Sequence, residues 1–287
     1  MHQRNSRGRI QGLPYPHLLT PWLLLGSALV VIGLVSCTTK APTPRTDRAA
    51  AEHFVAESRS LFGQKRIQET LETLSKAKEA DPSWAQPHIL RAELLRRLGR
   101  YREGWEELQA ARHLAPNDPD ITLTMLRNAP PTVPAAEMEA LARKAVEMMP
   151  ESAEAHYYLG YAISLYTDPK RYPEAIQAYQ RAIQLRPEQM LSYLELGRLY
   201  HVMGESNRAI AALEGAWEVS EMHAQRLGDV PLELARTRRD ITFWLAQAYQ
   251  QAGRTASYRK TTALATSLSE KVRELEKRHA RTSAAAR

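Results

Sequence analysis

Apolar residues recur three or four positions apart over most of this chain, and the pattern stops again and again at a proline. The stretches TLSKAKEADP (73–82), LQAARHLAP (108–116), LARKAVEMMP (141–150) and YQRAIQLRP (179–187) each place Leu or Tyr and Ala on one side of a helix and end on Pro82, Pro116, Pro150 and Pro187. Apolar positions at that spacing predict amphipathic helices. Proline stops them, because it has no amide hydrogen to donate and its ring collides with the preceding turn. The prolines lie 34, 34 and 37 residues apart. Two short helices and a tight turn fit in each interval, so the pattern predicts a series of helix pairs. One pair alone cannot bury its apolar stripe. Stacked neighbours make one continuous core.

Composition agrees with a helical body. The chain is 44% hydrophobic and 25% charged, with only 13 glycines and 3 phenylalanines. Ala, Leu, Glu, Arg and Gln dominate, all of them good helix formers. A coiled coil is the rival for such a composition, but no heptad survives a proline every 34 residues. The single cysteine rules out an internal disulfide and any site built from several thiolates.

Thirty-four is the tetratricopeptide period, and the residues between the prolines resemble that family. The clearest unit is 153–189, with Leu159-Gly160 in its first helix and Tyr172, Ala175, Tyr179, Ala182 and Pro187 in its second. Unit 190–223 repeats it through Leu196-Gly197, Tyr200, Gly204, Ala209, Leu213 and Ala216. Unit 85–118 has Leu95, Gly99, Tyr101, Leu108 and Ala111. Units 51–84 (Phe54, Leu61, Leu74, Ala77), 119–152 (Met125, Met138, Ala145) and 239–272 (Leu245, Tyr249, Gly253, Ala265) complete the series. The resemblance implies an all-α fold, a right-handed α-solenoid of about six helix pairs over 51–272 with a C-terminal capping helix. The tail from Ser267 to Arg281 is helical by pattern, with Leu268, Val272 and Leu275 on one face to cap the open end, and 273–287 is a basic helical tail.

Three departures from the repeat are visible. APPTVP (129–134) places three prolines at a helix turn and shortens the helix before it. TDPKR (167–171) carries a three-residue insertion. About 15 extra residues between His223 and Arg239 read as a prolonged helix, a break at Gly228 to Pro231 and an early start to the next helix.

The N-terminus has a different character. Arg4, Arg7 and Arg9 precede an apolar run, Trp22 to Val35, and the only cysteine follows at Cys37. A basic start and an apolar stretch are the marks of a secretory signal. Fourteen helical residues reach only ~21 Å, short of the ~30 Å hydrocarbon core that an uncleaved anchor spans. Leu34-Val35-Ser36-Cys37 resembles the lipobox of bacterial lipoproteins. The resemblance implies a signal peptide over 1–36, cut before Cys37, with diacylglycerol on its thiol and further acylation (palmitate among the acyl groups). Thr38 in place of Asp implies the periplasmic face of the outer membrane. Residues 37–50 form the lipidated cysteine and a flexible tether, rich in Thr, Pro and charge.

Charge is uneven. The total is +7. Residues 1–36 hold +3 and residues 254–287 hold +6, which leaves −2 for 37–253. A nucleic-acid protein more often spreads a basic stripe over its folded body, so no nucleic-acid partner is expected. The tail reads as a solvated helix end.

No catalytic constellation is present. The chain has no Gly-rich phosphate loop with Lys-Ser/Thr, no His-Glu-x-x-His and no Gly-x-Ser-x-Gly elbow. Neither enzyme activity, cofactor nor metal is expected. His88 and His156 fall where the family places packing residues. By resemblance, the second, fifth, ninth and twelfth positions of each first helix line a concave groove. They give Ile89, Tyr157, Tyr161, Leu191, Leu194, Arg198, His201, Phe243 and Gln247 as candidate peptide contacts. Aromatic and apolar anchors beside an arginine suit an extended or helical peptide. The family's carboxylate-clamp pattern of Lys and Asn is absent. The expected function is a lipid-anchored scaffold or adaptor for protein partners in the cell envelope. The rival readings are a pilotin-like factor for type IV pilus secretins and an enzyme with an unrecognised site. Oligomeric state is left open.

Overall fold

A computed structural model describes residues 46–285, with side chains to 281. Among the described residues there are twelve α-helices and no strand. They form six consecutive pairs: α1 (Arg48–Gly63) with α2 (Ile67–Ala80), α3 (Ala85–Arg97) with α4 (Tyr101–Leu114), α5 (Pro119–Asn128) with α6 (Ala135–Met148), α7 (Ala153–Ser164) with α8 (Tyr172–Leu185), α9 (Met190–Val202) with α10 (Ser206–Leu227), and α11 (Leu232–Gln251) with α12 (Thr255–Ala285). Each pair packs on the next. This is the expected all-α solenoid of six helix pairs.

Local chemistry sets the helix ends. Asp47, Asp118 and Ser152 accept hydrogen bonds from the otherwise unpaired first-turn amides of α1, α5 and α7. The proline-marked stops close α2, α4, α6 and α8. The turn inside five of the six pairs repeats one backbone feature, a residue in the left-handed region, and the α5–α6 turn is the exception. Gly99, Gly204 and Gly253 hold it with φ of 75°, 78° and 70°. Lys65 and Thr167 hold it in their own pairs with φ of 61° and 52°. Lys65, Gly99 and Thr167 fall in one 34-residue register, so the turn persists where glycine does not.

The three departures become visible features. The Pro130–Pro134 segment turns sharply, with the Val133 amide bonded to the Pro130 carbonyl, and leaves α5 only 10 residues long. After Thr167 the inserted residues form a single 3-10 turn, Pro169–Arg171, capped by Asp168. The long α10 ends at Gly228, and α11 starts early, at Leu232. Two boundaries differ from expectation. Helix α1 begins at Arg48, inside the segment read as tether, because Asp47 caps it and Arg48 pairs with buried Asp81 at 2.6 Å. The expected capping helix is no separate element: α12 runs unbroken for 31 residues. Its far half lies along the early turns of α11, where Arg236 meets Glu276 at 2.8 Å and Val272 is buried.

From α3 to α11 the core is continuous, while α1 and α2 pack through two smaller clusters around Leu74 and Leu71. One buried cluster joins α3 to α7 through Trp105, Leu108, Ile121, Met125 and Leu141. A second joins α7 to α11 through Ile163, Tyr179, Leu199, Leu213 and Ile241. Leu159 packs against both. The Tyr179 ring of α8 lies so close against Gly160 of α7 that a Cβ there would sit 2.8 Å from it.

A buried carboxylate locks the first two pairs. Glu107 of α4 accepts from Lys78 of α2 at 2.8 Å and contacts His88 at 2.6 Å and Arg91, both of α3. Burial pushes its carboxyl up. The His88, Lys78 and Arg91 contacts outweigh burial and hold it at about 2. His88 is thus a packing and pairing residue.

Candidate functional site

The candidate contacts belong to the first helix of a pair, and the structure sorts them into groups. Tyr157 and Tyr161 lie one turn apart on α7, with ring planes 19° apart and centroids 6.3 Å apart. Tyr158 sets its edge against Tyr157 at 5.0 Å, and Tyr179 tilts against it at 6.2 Å. Burial pushes the Tyr157 hydroxyl well above its ordinary pKa and that of Tyr158 up to about 12. These rings therefore stay neutral and present apolar faces with a hydroxyl tip.

A second group forms between α9 and α11 around Trp244. The Arg198 guanidinium sits 5.0 Å from its ring centroid. His201 approaches it edge-on at 5.7 Å and Phe243 at 5.3 Å. Phe243 is 50% exposed and Leu191, at the start of α9, is 41% exposed. Both are large apolar side chains open to solvent. Arg198 is paired with Glu195 at 2.9 Å. Glu195 is largely enclosed, and burial pushes its carboxyl up against the pull of Arg198, with Asp240 adding to the rise. Asp240 is itself paired with Arg239 at 2.8 Å. The charges of this stretch are matched internally, and its apolar surface is what remains on offer.

Not every expected contact is part of this surface. Leu194 is 5% exposed and belongs to the buried cluster, because its position on α9 points between the helices. Ile89 packs half-buried against the core of the second and third pairs, apart from the α7–α11 residues. Gln247 is half-buried on α11. Cys37 lies outside the described residues. Trp244 and Glu195 were not among the expected contacts. The signals for them were an indole next to Phe243 and a lone acid in the apolar run MLSYLELGRLY. Across the neighbouring first helices, Arg127 of α5 pairs with Glu154 of α7 at 2.8 Å.

Among the described residues, no group of three or more His, Cys, Asp or Glu side chains is placed to share a metal ion. No described helix is long and apolar enough to cross a membrane.

Residues 164–204, from the end of α7 to the turn after α9, match the family model described as TPR repeat. The architecture is similar to that of PilW, a widely conserved type IV pilus biogenesis factor, with a TM-score of 0.62 and 14% identity over 79% of this chain and 97% of that one. The fold is a tetratricopeptide solenoid. MamA is similar with a TM-score of 0.52 and 17% identity, over 58% of this chain and 96% of its own. YrrB, a TPR protein with an unusual peptide-binding site, is similar with a TM-score of 0.50 and 16% identity, over 60% of this chain and 90% of its own. At these identities the likeness establishes architecture. No curated protein matches the sequence. Helix α9 contacts both α7 and α11, which sets the tyrosine pair of α7 and the Trp244 group on neighbouring first helices.

Proposed function

We propose that this chain is a non-enzymatic adaptor, tethered to the cell envelope by lipid on Cys37, whose solenoid binds a protein partner through its first helices. The observation that carries the reading is the run of large aromatic and aliphatic side chains on three consecutive first helices: half-buried Tyr161 on α7, and exposed Leu191 on α9 and Phe243 on α11. Adjacent charges are already paired, so such a surface gains most from an apolar anchor that removes area from water. The N-terminal signal, the lipobox at Leu34 to Cys37 and Thr38 support placement on the periplasmic face of the outer membrane. Several acyl chains hold a protein on a bilayer where one chain does so only reversibly.

A second reading is a pilotin-like factor that helps a type IV pilus secretin assemble. Its specific support is that the PilW architecture spans 79% of this chain.

One experiment tests both. The lipidated protein is crosslinked in its own envelope and recovered beside a Tyr161→Ala/Phe243→Ala variant. A partner that is lost from the variant upholds the adaptor reading, and a secretin in that role upholds the second. Identical recoveries from both proteins sink the assignment of the face.

A further inference from the structure

The N-terminal end of the solenoid carries a second recess, two helix pairs away from the aromatic stretch. It opens between α1 and α3 with α2 beneath. Phe62, Leu74, Leu90 and Leu94 form its apolar wall, and Arg59 and Arg97 stand at its rim. The floor is apolar in practice. Ser58 Oγ donates to the Val55 carbonyl at 2.7 Å, and Thr70 Oγ1 donates to the Arg66 carbonyl at 2.8 Å. Each hydroxyl spends its one hydrogen inside its own helix or turn, so the floor offers no donor to a ligand. Phe62 is 38% exposed, and the Arg97 guanidinium sits 5.1 Å from its ring centroid.

The rim charges differ from those around them. In the same two pairs Arg48 is tied to Asp81, Arg66 to Glu69, Arg100 to Glu103, and Lys78 and Arg91 to Glu107. Among the described residues, neither Arg59 nor Arg97 has a carboxylate within ion-pair distance. Arg96, beside Arg97, encloses its Nε without a hydrogen-bond partner. Glu93 is the one acid lining the recess. Two guanidiniums against one carboxylate leave the lining of this recess positive. The α7–α11 stretch, by contrast, has its charges paired.

We propose that this recess takes one apolar side chain from a partner segment that is acidic on both sides of that anchor. The anchor fills the space against Phe62, Leu90 and Leu94, and the flanking carboxylates pair with Arg59 and Arg97. Charge complementarity selects this end of the solenoid for an acidic segment, and the donor-free floor selects an apolar anchor over a polar one. The inference rests on the reading of the first helices as a peptide-binding face, and adds the chemistry of the partner at one place on it.

Fluorescence anisotropy of the full chain tests it. The probe is a short labelled peptide with one phenylalanine between two pairs of aspartates in a glycine–serine background. Saturable binding is expected. Arg59→Glu with Arg97→Glu weakens it by at least roughly tenfold, the loss of two modest ion pairs. Exchanging the aspartates for asparagines, or the phenylalanine for alanine, weakens it comparably, and added salt does so progressively. Arg59→Gln with Arg97→Gln gives an intermediate loss, and carries the test if charge reversal lowers the melting temperature. The Tyr161→Ala/Phe243→Ala variant binds the probe as the parent does. Absence of saturable binding, equal binding of a lysine-flanked probe, or indifference to both arginine variants overturns the proposal. Binding lost only in Tyr161→Ala/Phe243→Ala moves the peptide to the aromatic stretch, which refutes this recess while upholding the general reading. Self-association in sedimentation that the arginine variants abolish assigns the recess to a second copy, and also refutes it.

Discussion

Single residues carry the tightest constraints in this solenoid. Gly160 is one, because Tyr179 is fully buried and its ring occupies the space of any Cβ there. Gly160→Ala is expected to lower stability by about 1–3 kcal/mol, the cost of overpacking a closed core. Chemical denaturation reads this as a lower midpoint with an unchanged slope. Thr167 is the opposite case. It holds φ of 52° with a branched Cβ, where glycine stands in three other turns. Thr167→Gly is expected to raise the melting temperature, with a gain of about 1 kcal/mol from relieved backbone strain. A fall in melting temperature rules that account out. Glu107 gathers Lys78, Arg91 and His88 around a side chain 10% exposed. Glu107→Gln leaves Lys78 and Arg91 facing each other without their counter-ion. The expected loss is ~2–3 kcal/mol, below the ~3–5 kcal/mol of a fully buried pair because both cations keep some solvent. The sign of the pH effect follows from the lowered carboxyl. Its contribution is complete above the unfolded value near 4.5 and is lost as pH falls toward about 2. Acid unfolding of the parent and of Glu107→Gln should therefore converge below pH 4.5.

The helix is the next scale, and α12 is its clearest example. Helix α11 starts early and is 20 residues long, so a standard partner helix leaves its first turns uncovered. The far half of α12 covers them through Val272, Leu275 and the Arg236–Glu276 pair. Truncation after Lys271 removes that cover. Amide exchange is expected to speed up over 232–239 while α7 and α9 keep their protection, because each pair contacts mainly its neighbours. Uniform loss of protection along the chain contradicts this one-dimensional picture. Helix existence was legible from the 3.6-residue pattern and the proline stops. The short α5 followed from three clustered prolines, and the α10–α11 break from Gly228 and Pro231. The start of α1 was less visible. Arg48 reads as a tether residue until its partner, Asp81, is brought beside it from 33 residues away.

At the scale of the molecule, the two ends have different tasks under the adaptor reading. Cys37 attaches the chain to the membrane, and the solenoid presents the binding face. Cys37→Ala is expected to abolish incorporation of labelled fatty acid and to leave the precursor uncleaved, while the solenoid keeps its helical circular dichroism. A variant that is still acylated and sediments with outer membrane refutes the lipobox. The candidate face was only partly legible. Position in the repeat named Tyr157, Tyr161, Arg198, His201 and Phe243, which the structure gathers into two groups. Position alone does not say how far a side chain is enclosed by the next pair, so Leu194 was placed on the surface when it packs inside. Trp244 was passed over because it stands one position off the expected row, yet three of the expected residues converge on its ring.

The sequence by itself determined the helices, their pairing and their stacking order. The apolar period, the prolines and the small residues at crossings are local signals that every repeat restates. At the N-terminus a basic start, an apolar run and one cysteine form a contiguous pattern, and the proposed lipid anchor rests on that pattern alone. Only the tertiary structure decided which charges are paired. Beside the local pairs within one turn, ion pairs join residues 16 to 40 positions apart, such as Arg91 with Glu107 and Arg236 with Glu276. Without those distances Arg59 and Arg97 look like any other helix-surface arginines. Stacking the repeats is what sets these two beside an apolar recess with no carboxylate among the described residues within ion-pair distance.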